Sequence, residues 1–207
     1  YNLCMYRLYV ERRPGFENEA KSYLAQINGF LGIAGVSAVR YFNRYDIENV
    51  SDEVAKIAAT RIFSEPQSDF VFTEKLPKHN GKEIIWEYLP GQYDQRADSA
   101  EQCLSLLRAG LASAGVKTLS EAPVVRCAKI VVLEGKVSSD DIAKIQNYLI
   151  NPVDSRLTDD KKPKTLKMDI DEPADIPVVD GFINMDDDAL EAYRNKMGLA
   201  MDHLDIK

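Results

Sequence analysis

The chain has 207 residues, 45% of them apolar and 29% charged, with a net charge of −7. That is enough chain to bury a real core, with the composition of an ordinary globular protein. Residues 1–150 are close to neutral and residues 151–207 carry most of the acidic excess, so nucleic acid, which needs a basic face, is excluded as a partner. No apolar run approaches the roughly 20 residues of a membrane helix. No basic segment followed by an apolar stretch opens the chain, so a cytoplasmic protein without a membrane partner is expected.

In chain order, Leu3–Val10 is apolar and aromatic-rich and reads as a strand, ended by Pro14-Gly15. Phe16, Ala20, Tyr23, Leu24, Ile27 and Leu31 then recur at helical spacing up to Gly32. Val36–Tyr45 reads as a second strand, Ser51 caps a short helix bearing Val54, Ile57, Ala58 and Ile62, and Asp69–Lys75 reads as a third strand. Glu83–Leu89 opens a second series, again ended by Pro-Gly at Pro90-Gly91. A helix follows with Ala97, Ala100, Cys103, Leu104, Leu107 and Leu111 as its stripe. Val124–Leu133 is the next strand, and Ser138 or Ser139 caps a helix carrying Ile142, Ile145 and Leu149.

The two series echo one another. Val50-Ser51-Asp52-Glu53-Val54-Ala55-Lys56-Ile57 matches Val137-Ser138-Ser139-Asp140-Asp141-Ile142-Ala143-Lys144-Ile145, Phe63-Ser64-Glu65-Pro66 matches Leu149-Ile150-Asn151-Pro152, Val39-Arg40 matches Val125-Arg126, and Pro14-Gly15 matches Pro90-Gly91. The collinear matches predict an α+β domain over residues 1–152, built from similar strand–helix–strand–helix halves at 1–76 and 77–152. The halves share an antiparallel sheet about an approximate twofold axis, with a third strand clear only in the first half. The proline-bearing stretch 153–181 reads as an extended linker. Residues 182–207 read as the start of a further domain, with a helix capped by Asp186 and an apolar face of Leu190, Tyr193, Met197 and Met201.

Side chains with chemistry are sparse. Cys4, Cys103 and Cys127 lack metal-like spacing and read as buried free thiols, and His79 and His203 stand in a polar loop and near the end of the chain. Asp186-Asp187-Asp188 suits a helix amino terminus better than a metal, since consecutive side chains diverge. Gly91 stands alone, without a phosphate-cradling pattern. Neither catalytic, metal nor cofactor-binding residues are expected. The densest polar cluster lies at the strand-to-helix junction after Pro90-Gly91, where Gln92, Asp94, Gln95, Arg96 and Asp98 crowd together. An isolated helix start needs one cap, so the excess points to docking of another domain, with Arg96 able to grip a carboxylate bidentately. The structural alternative is a turn, a cap from Asp94 or Asp98, and a nearby carboxylate for Arg96.

The string Leu89-Pro90-Gly91-Gln92-Tyr93-Asp94-Gln95-Arg96-Ala97-Asp98-Ser99-Ala100 resembles the amino-terminal region of phosphoribosylformylglycinamidine synthases of the large, single-chain form. Tyr6-Arg7-Leu8-Tyr9-Val10-Glu11-Arg12-Arg13-Pro14-Gly15-Phe16, Asn43-Arg44-Tyr45-Asp46, Phe63-Ser64-Glu65-Pro66, Tyr148-Leu149-Ile150-Asn151-Pro152-Val153 and Gly198-Leu199-Ala200-Met201-Asp202 are similar to that family as well. The resemblance implies an amino-terminal domain like two fused copies of the small accessory subunit of multi-subunit versions. A linker domain, within which this chain stops, an ATP-binding synthase domain and a glutaminase domain would follow. The parent reaction so implied converts a formylglycinamide ribonucleotide to its amidine with glutamine-derived ammonia, ATP and magnesium, all catalytic groups lying outside this chain. The synthase and glutaminase domains are the implied partners. The competing expectation is an independent dimeric α+β module that binds a small regulatory ligand.

Overall fold

The computed structural model describes residues 5–167, 176, 178–202 and 204–207. It divides into two compact units, Tyr1–Met168 and Asp169–Lys207. The first is an α+β unit around an open six-stranded sheet in the order β3-β1-β2-β5-β4-β6, every neighbouring pair antiparallel. The strands are β1 (Tyr6–Arg12), β2 (Val36–Glu48), β3 (Asp69–Thr73), β4 (Lys82–Tyr88), β5 (Val124–Gly135) and β6 (Ser155–Leu157). The helices are α1 (Asn18–Ala25), α2 (Asp52–Arg61), α3 (Gln95–Ser113) and α4 (Ser139–Leu149). β2 and β5 are the longest strands, and they meet at the centre of the sheet.

Strand alternation divides the side chains between two faces. On one face, Leu8, Val10, Tyr45, Ile47 and Val125 pack with Val54 and Ala58 of α2 and with Ala97, Ala100 and Leu104 of α3. Beside them, Val36, Tyr41, Ile84, Trp86, Val131 and Leu133 pack with Ala20, Ile27 and Ile145 from α1, its following turn and α4. Full burial of a leucine such as Leu104, at 0% exposure, stabilises by about 1.5–3 kcal/mol. The other face carries Tyr9, Phe42, Ile85, Ala128, Ile130 and Val132, with Phe72 and Leu76 against them.

Three helices start on the side-chain caps that their sequences offer. Ser51 accepts from the Val54 amide at 3.4 Å. Asp94 accepts from the Arg96 and Ala97 amides at 3.0 and 3.1 Å. Ser138, rather than Ser139, forms a reciprocal box with Asp141. α1 is shorter than its apolar spacing predicts. It gives way after Ala25 to a π-helical turn, Gln26–Phe30, that ends before Gly32 at φ +67°, and Phe16 is left exposed. The far end of the central ladder needs a glycine: Gly135 has φ +119°, and a Cβ there would stand 2.3 Å from the Gly35 carbonyl oxygen.

The face without helices is closed by the chain itself. Arg7, 1% exposed, donates through Nε and Nη2 to Asp46 at 2.5 and 2.8 Å and through Nη1 to the Asp160 carbonyl at 2.6 Å. The Tyr9 hydroxyl donates to the Asp160 carboxylate at 2.8 Å, and Arg44 Nη1 to the Asp159 carbonyl at 2.7 Å. Farther along, the Leu166 amide donates to Glu48 at 2.8 Å, and Arg126 donates to the Leu166 carbonyl at 2.9 Å. Residues 158–167 thus form a strap over β1, β2 and β5.

This strap corrects the expected boundary at 152. The first unit extends beyond it, and the opening of the stretch read as a linker supplies β6 and the strap. Of the charges that made this stretch look solvated, Arg156 and Asp160 meet partners on the sheet. A third strand therefore exists in the second half too: Ser155 pairs with Tyr88, Arg156 with Glu87 and Leu157 with Trp86.

The second unit holds a 3-10 turn, Phe182–Asn184, and α5 (Asp187–Met197). Asp186 caps α5 by accepting from the Ala189 amide at 2.9 Å, and Gly198 ends it in the left-handed conformation. Of the expected apolar face, Leu190 is buried and Tyr193 meets Phe182 edge to face, whereas Met197 and Met201 are exposed. Among the described residues no helix is long and apolar enough to cross a membrane.

Candidate functional site

The polar cluster after β4 begins with a turn that its sequence dictates. Pro90 cannot extend the ladder, Gly91 adopts φ +88°, and the Gln92 amide returns to the Leu89 carbonyl at 3.0 Å. The turn delivers Asp94 to the start of α3, where its carboxylate satisfies two backbone amides. Asp98, one turn on, accepts from the Tyr93 hydroxyl at 2.9 Å and from Gln102 at 2.8 Å. The contact with Asp98 raises the Tyr93 pKa, although the ring itself is 70% exposed.

Arg96 does not find the nearby carboxylate of the structural alternative. Arg96 is exposed as a residue, and its guanidinium turns toward the sheet and donates to the Tyr45 hydroxyl at 3.0 Å. Burial works against the guanidinium's charge, and the hydroxyls of Tyr45 and Tyr41 outweigh it, leaving its pKa raised. Gln92 and Gln95 are exposed and make no side-chain hydrogen bond among the described residues. The five expected docking residues thus separate into two spent on the helix start, one turned inward and two facing outward.

Beside this junction lies a cleft of about 390 Å³ between the start of α3 and the centre of the sheet. Asp94, Gln95, Arg96 and Ser99 form one wall, and Asn43, Trp86, Cys127 and Lys129 part of the floor. Sequence reasoning missed Asn43, Trp86 and Lys129 as members of this site. They come together only through the register of β2 against β5, which sets Asn43 opposite Lys129.

Burial raises the Cys127 thiol well above its ordinary range, with Asp94 adding to the effect. It therefore stays protonated and is a poor nucleophile at neutral pH. Cys103, expected in the apolar stripe of α3, is exposed instead. Ala97, Ala100 and Leu104 fill the buried face, and position 103 falls off its edge. Cys4 and His203 lie outside the described residues. His79 Nε2 lies 3.0 Å from the Glu83 carboxylate.

The aromatic residues of the strands serve mainly as core: Tyr9, Tyr41, Tyr45 and Trp86 are buried, whereas Tyr88 is 39% exposed at the cleft. No family model and no curated protein matches this chain.

Proposed function

We propose that this chain is the amino-terminal assembly domain of a phosphoribosylformylglycinamidine synthase, formed by two fused copies of a unit like the small accessory subunit of the multi-subunit enzymes. The observation that carries the reading is the ladder register. Moving β1 by 76 residues and β2 by 86 converts the pair Tyr6↔Ile47 into Lys82↔Leu133, an observed pair of β4 with β5. Moving β3 by 86 converts Val10↔Val71 into Trp86↔Leu157, and Arg12↔Asp69 into Tyr88↔Ser155. These are the offsets at which the sequence repeats. Local geometry repeats with them: Gly15 and Gly91 both have φ near +90°, and the Arg13 amide reaches Ser68 as the Leu89 amide reaches Asp154. The strand order also reads identically from either edge, with β2 and β5 meeting at the middle. Unrelated halves would have little reason to agree in register, turn and offset together.

In this reading the chain performs no chemistry. It holds synthase and glutaminase domains, which carry the ATP, magnesium and nucleophile sites, so that ammonia passes between them before it is protonated or lost. Gln92, Tyr93 and Gln95 present unsatisfied polar and aromatic surface for such a contact, Asp94 and Asp98 hold that junction rigid, and Arg96 lies just inside it. Reconstitution tests the assignment: the chain is mixed with synthase and glutaminase polypeptides from the same gene product. It should co-elute with them and raise the yield of amidine per glutamine hydrolysed, while synthesis from added ammonia depends on it less. If the chain stays separate and coupling is the same without it, the reading fails. A chain that dimerises alone and ignores both polypeptides would favour the independent dimeric module instead.

A further inference from the structure

Two cations border the cleft beside α3 without a carboxylate of their own. Lys129 stands opposite Asn43 in the β2–β5 ladder, is half-buried, and makes no ion pair among the described residues. Arg96 likewise makes no ion pair there, and Tyr45 occupies only one of its donors. The two carboxylates that line the same cleft are engaged elsewhere: Asp94 with the amides of α3, and Glu87 with Arg156 at 2.7 Å. Two cations facing one cleft without a counter-charge attract an anion, which gains charge-assisted hydrogen bonds from both.

The cleft at the comparable place in the first half is built differently. It lies between β1, β2 and the start of α1, holds about 200 Å³, and is lined by Glu11, Arg12, Glu17, Glu19 and Arg40. There the cations are already satisfied. Arg40 grips Glu11 through two bonds of 2.7 Å, and Arg12 lies 2.9 Å from Asp69. The first cleft thus has its cations paired, and at offsets of 76 and 86 residues the first half carries Ala20 and Asn43 where the second carries Arg96 and Lys129.

We propose that the cleft lined by Arg96 and Lys129 binds a small molecule through a compact anionic group, a carboxylate or a phosphate. Arg96 and Lys129 supply the charge, and Asn43 and Ser99 are placed to direct the group by hydrogen bonding. The volume of about 390 Å³ falls within the range of small-molecule sites. Such a site adds a ligand-responsive element to the chain and does not depend on the assembly role.

Calorimetric titration of the intact chain, at fixed ionic strength, with inorganic phosphate and separately with succinate tests it. At least one should bind saturably, phosphate alone identifying a phosphoryl ligand and succinate alone a carboxylate. Lys129→Ala should weaken binding at least about tenfold, the loss expected for one charge-assisted contact, while Lys144→Ala on α4 should leave it unchanged. In the unmodified protein the saturating anion should slow acylation of Lys129 by an amine-reactive reagent and spare Lys144, a readout that does not depend on the folding of any variant. Absence of saturable binding up to about 10 mM, weaker than the millimolar range of small-anion sites, would overturn the proposal. So would unchanged affinity in Lys129→Ala, or labelling of Lys129 that the bound anion does not slow. None of these results bears on co-elution with synthase and glutaminase polypeptides, so the two readings fail separately.

Discussion

The helix-free face of the sheet is built in two ways, and the contrast between them shows what a strand position can demand. Over β4 and β5 it is apolar: Ile85, Ala128, Ile130 and Val132 are all buried. Over β1 and β2 it is ionic: Arg7, Arg44 and Asp46 are 4% exposed or less, with Tyr9 beside them. Both regions follow the same strand geometry and both exclude water. The apolar region needs only shape. The ionic region needs every charge to meet a partner, and Asp160 on the strap supplies what the strands lack.

The largest expected effect is on the ionic side. Arg7→Ala leaves Asp46 buried with Arg44 at 3.5 Å as its remaining cation, and should destabilise by about 3–5 kcal/mol, as broken buried ion pairs do. Denaturant unfolding measures this; a loss below about 1 kcal/mol would show that the two faces are equally tolerant. Asp160→Ala comes next, at about 1–2 kcal/mol, discounted because its carboxylate keeps 32% of its surface in water. Hydrogen exchange should quicken across 158–166 in that variant while the amides of β5 keep their protection. On the apolar side, Ile130→Val removes one methylene and should cost about 0.5–1.5 kcal/mol.

The smallest effect at neutral pH is Tyr9→Phe, at most about 1 kcal/mol, but this variant also reports on alkali. Burial and then Asp160 raise the Tyr9 pKa above its ordinary value, so the folded state holds the proton longer than the unfolded chain does. The associated stability is complete below about pH 10 and is lost as pH rises from there. Burial raises Tyr41 and Tyr45 in the same direction, so Tyr9→Phe should flatten the alkaline decline without abolishing it. A decline that keeps its full slope would remove Tyr9 from the ionic account.

Much of the framework was readable in the residues because its signals are local. Ser51, Asp94 and Ser138 announce helix starts, alternation announces β1, β2, β4 and β5, and Pro-Gly ends two strands. The offsets of 76 and 86 residues carry the β1–β2 register onto that of β4 and β5. What escaped depends on distance in the chain. β6 is three residues long and carries an arginine, so neither length nor alternation marks it. Arg7 and Asp160 lie 153 positions apart, and no periodicity links them. The cleft was half legible: the wall on α3 lies in one contiguous string, whereas Asn43 and Lys129 come from distant strands that only the register brings together. Cys103 misled because a stripe drawn through i, i+3 and i+4 is wider than the face that three small residues need to cover.

The strap also sets an order of events. Asp160 leaves the ribosome about 150 residues after its partners Tyr9 and Arg7, which at ordinary synthesis rates is a delay of roughly 10–30 s. During that interval β1 and β2 can pair while their back face still lacks its cover. The hydrated charges of Arg7, Asp46 and Arg44 suit that wait, because water can hold them until the strap arrives. An apolar surface in the same place would stand open to neighbouring chains. Most of the apolar patch belongs to β4 and β5, whose residues emerge much closer in time to the segment that completes the sheet.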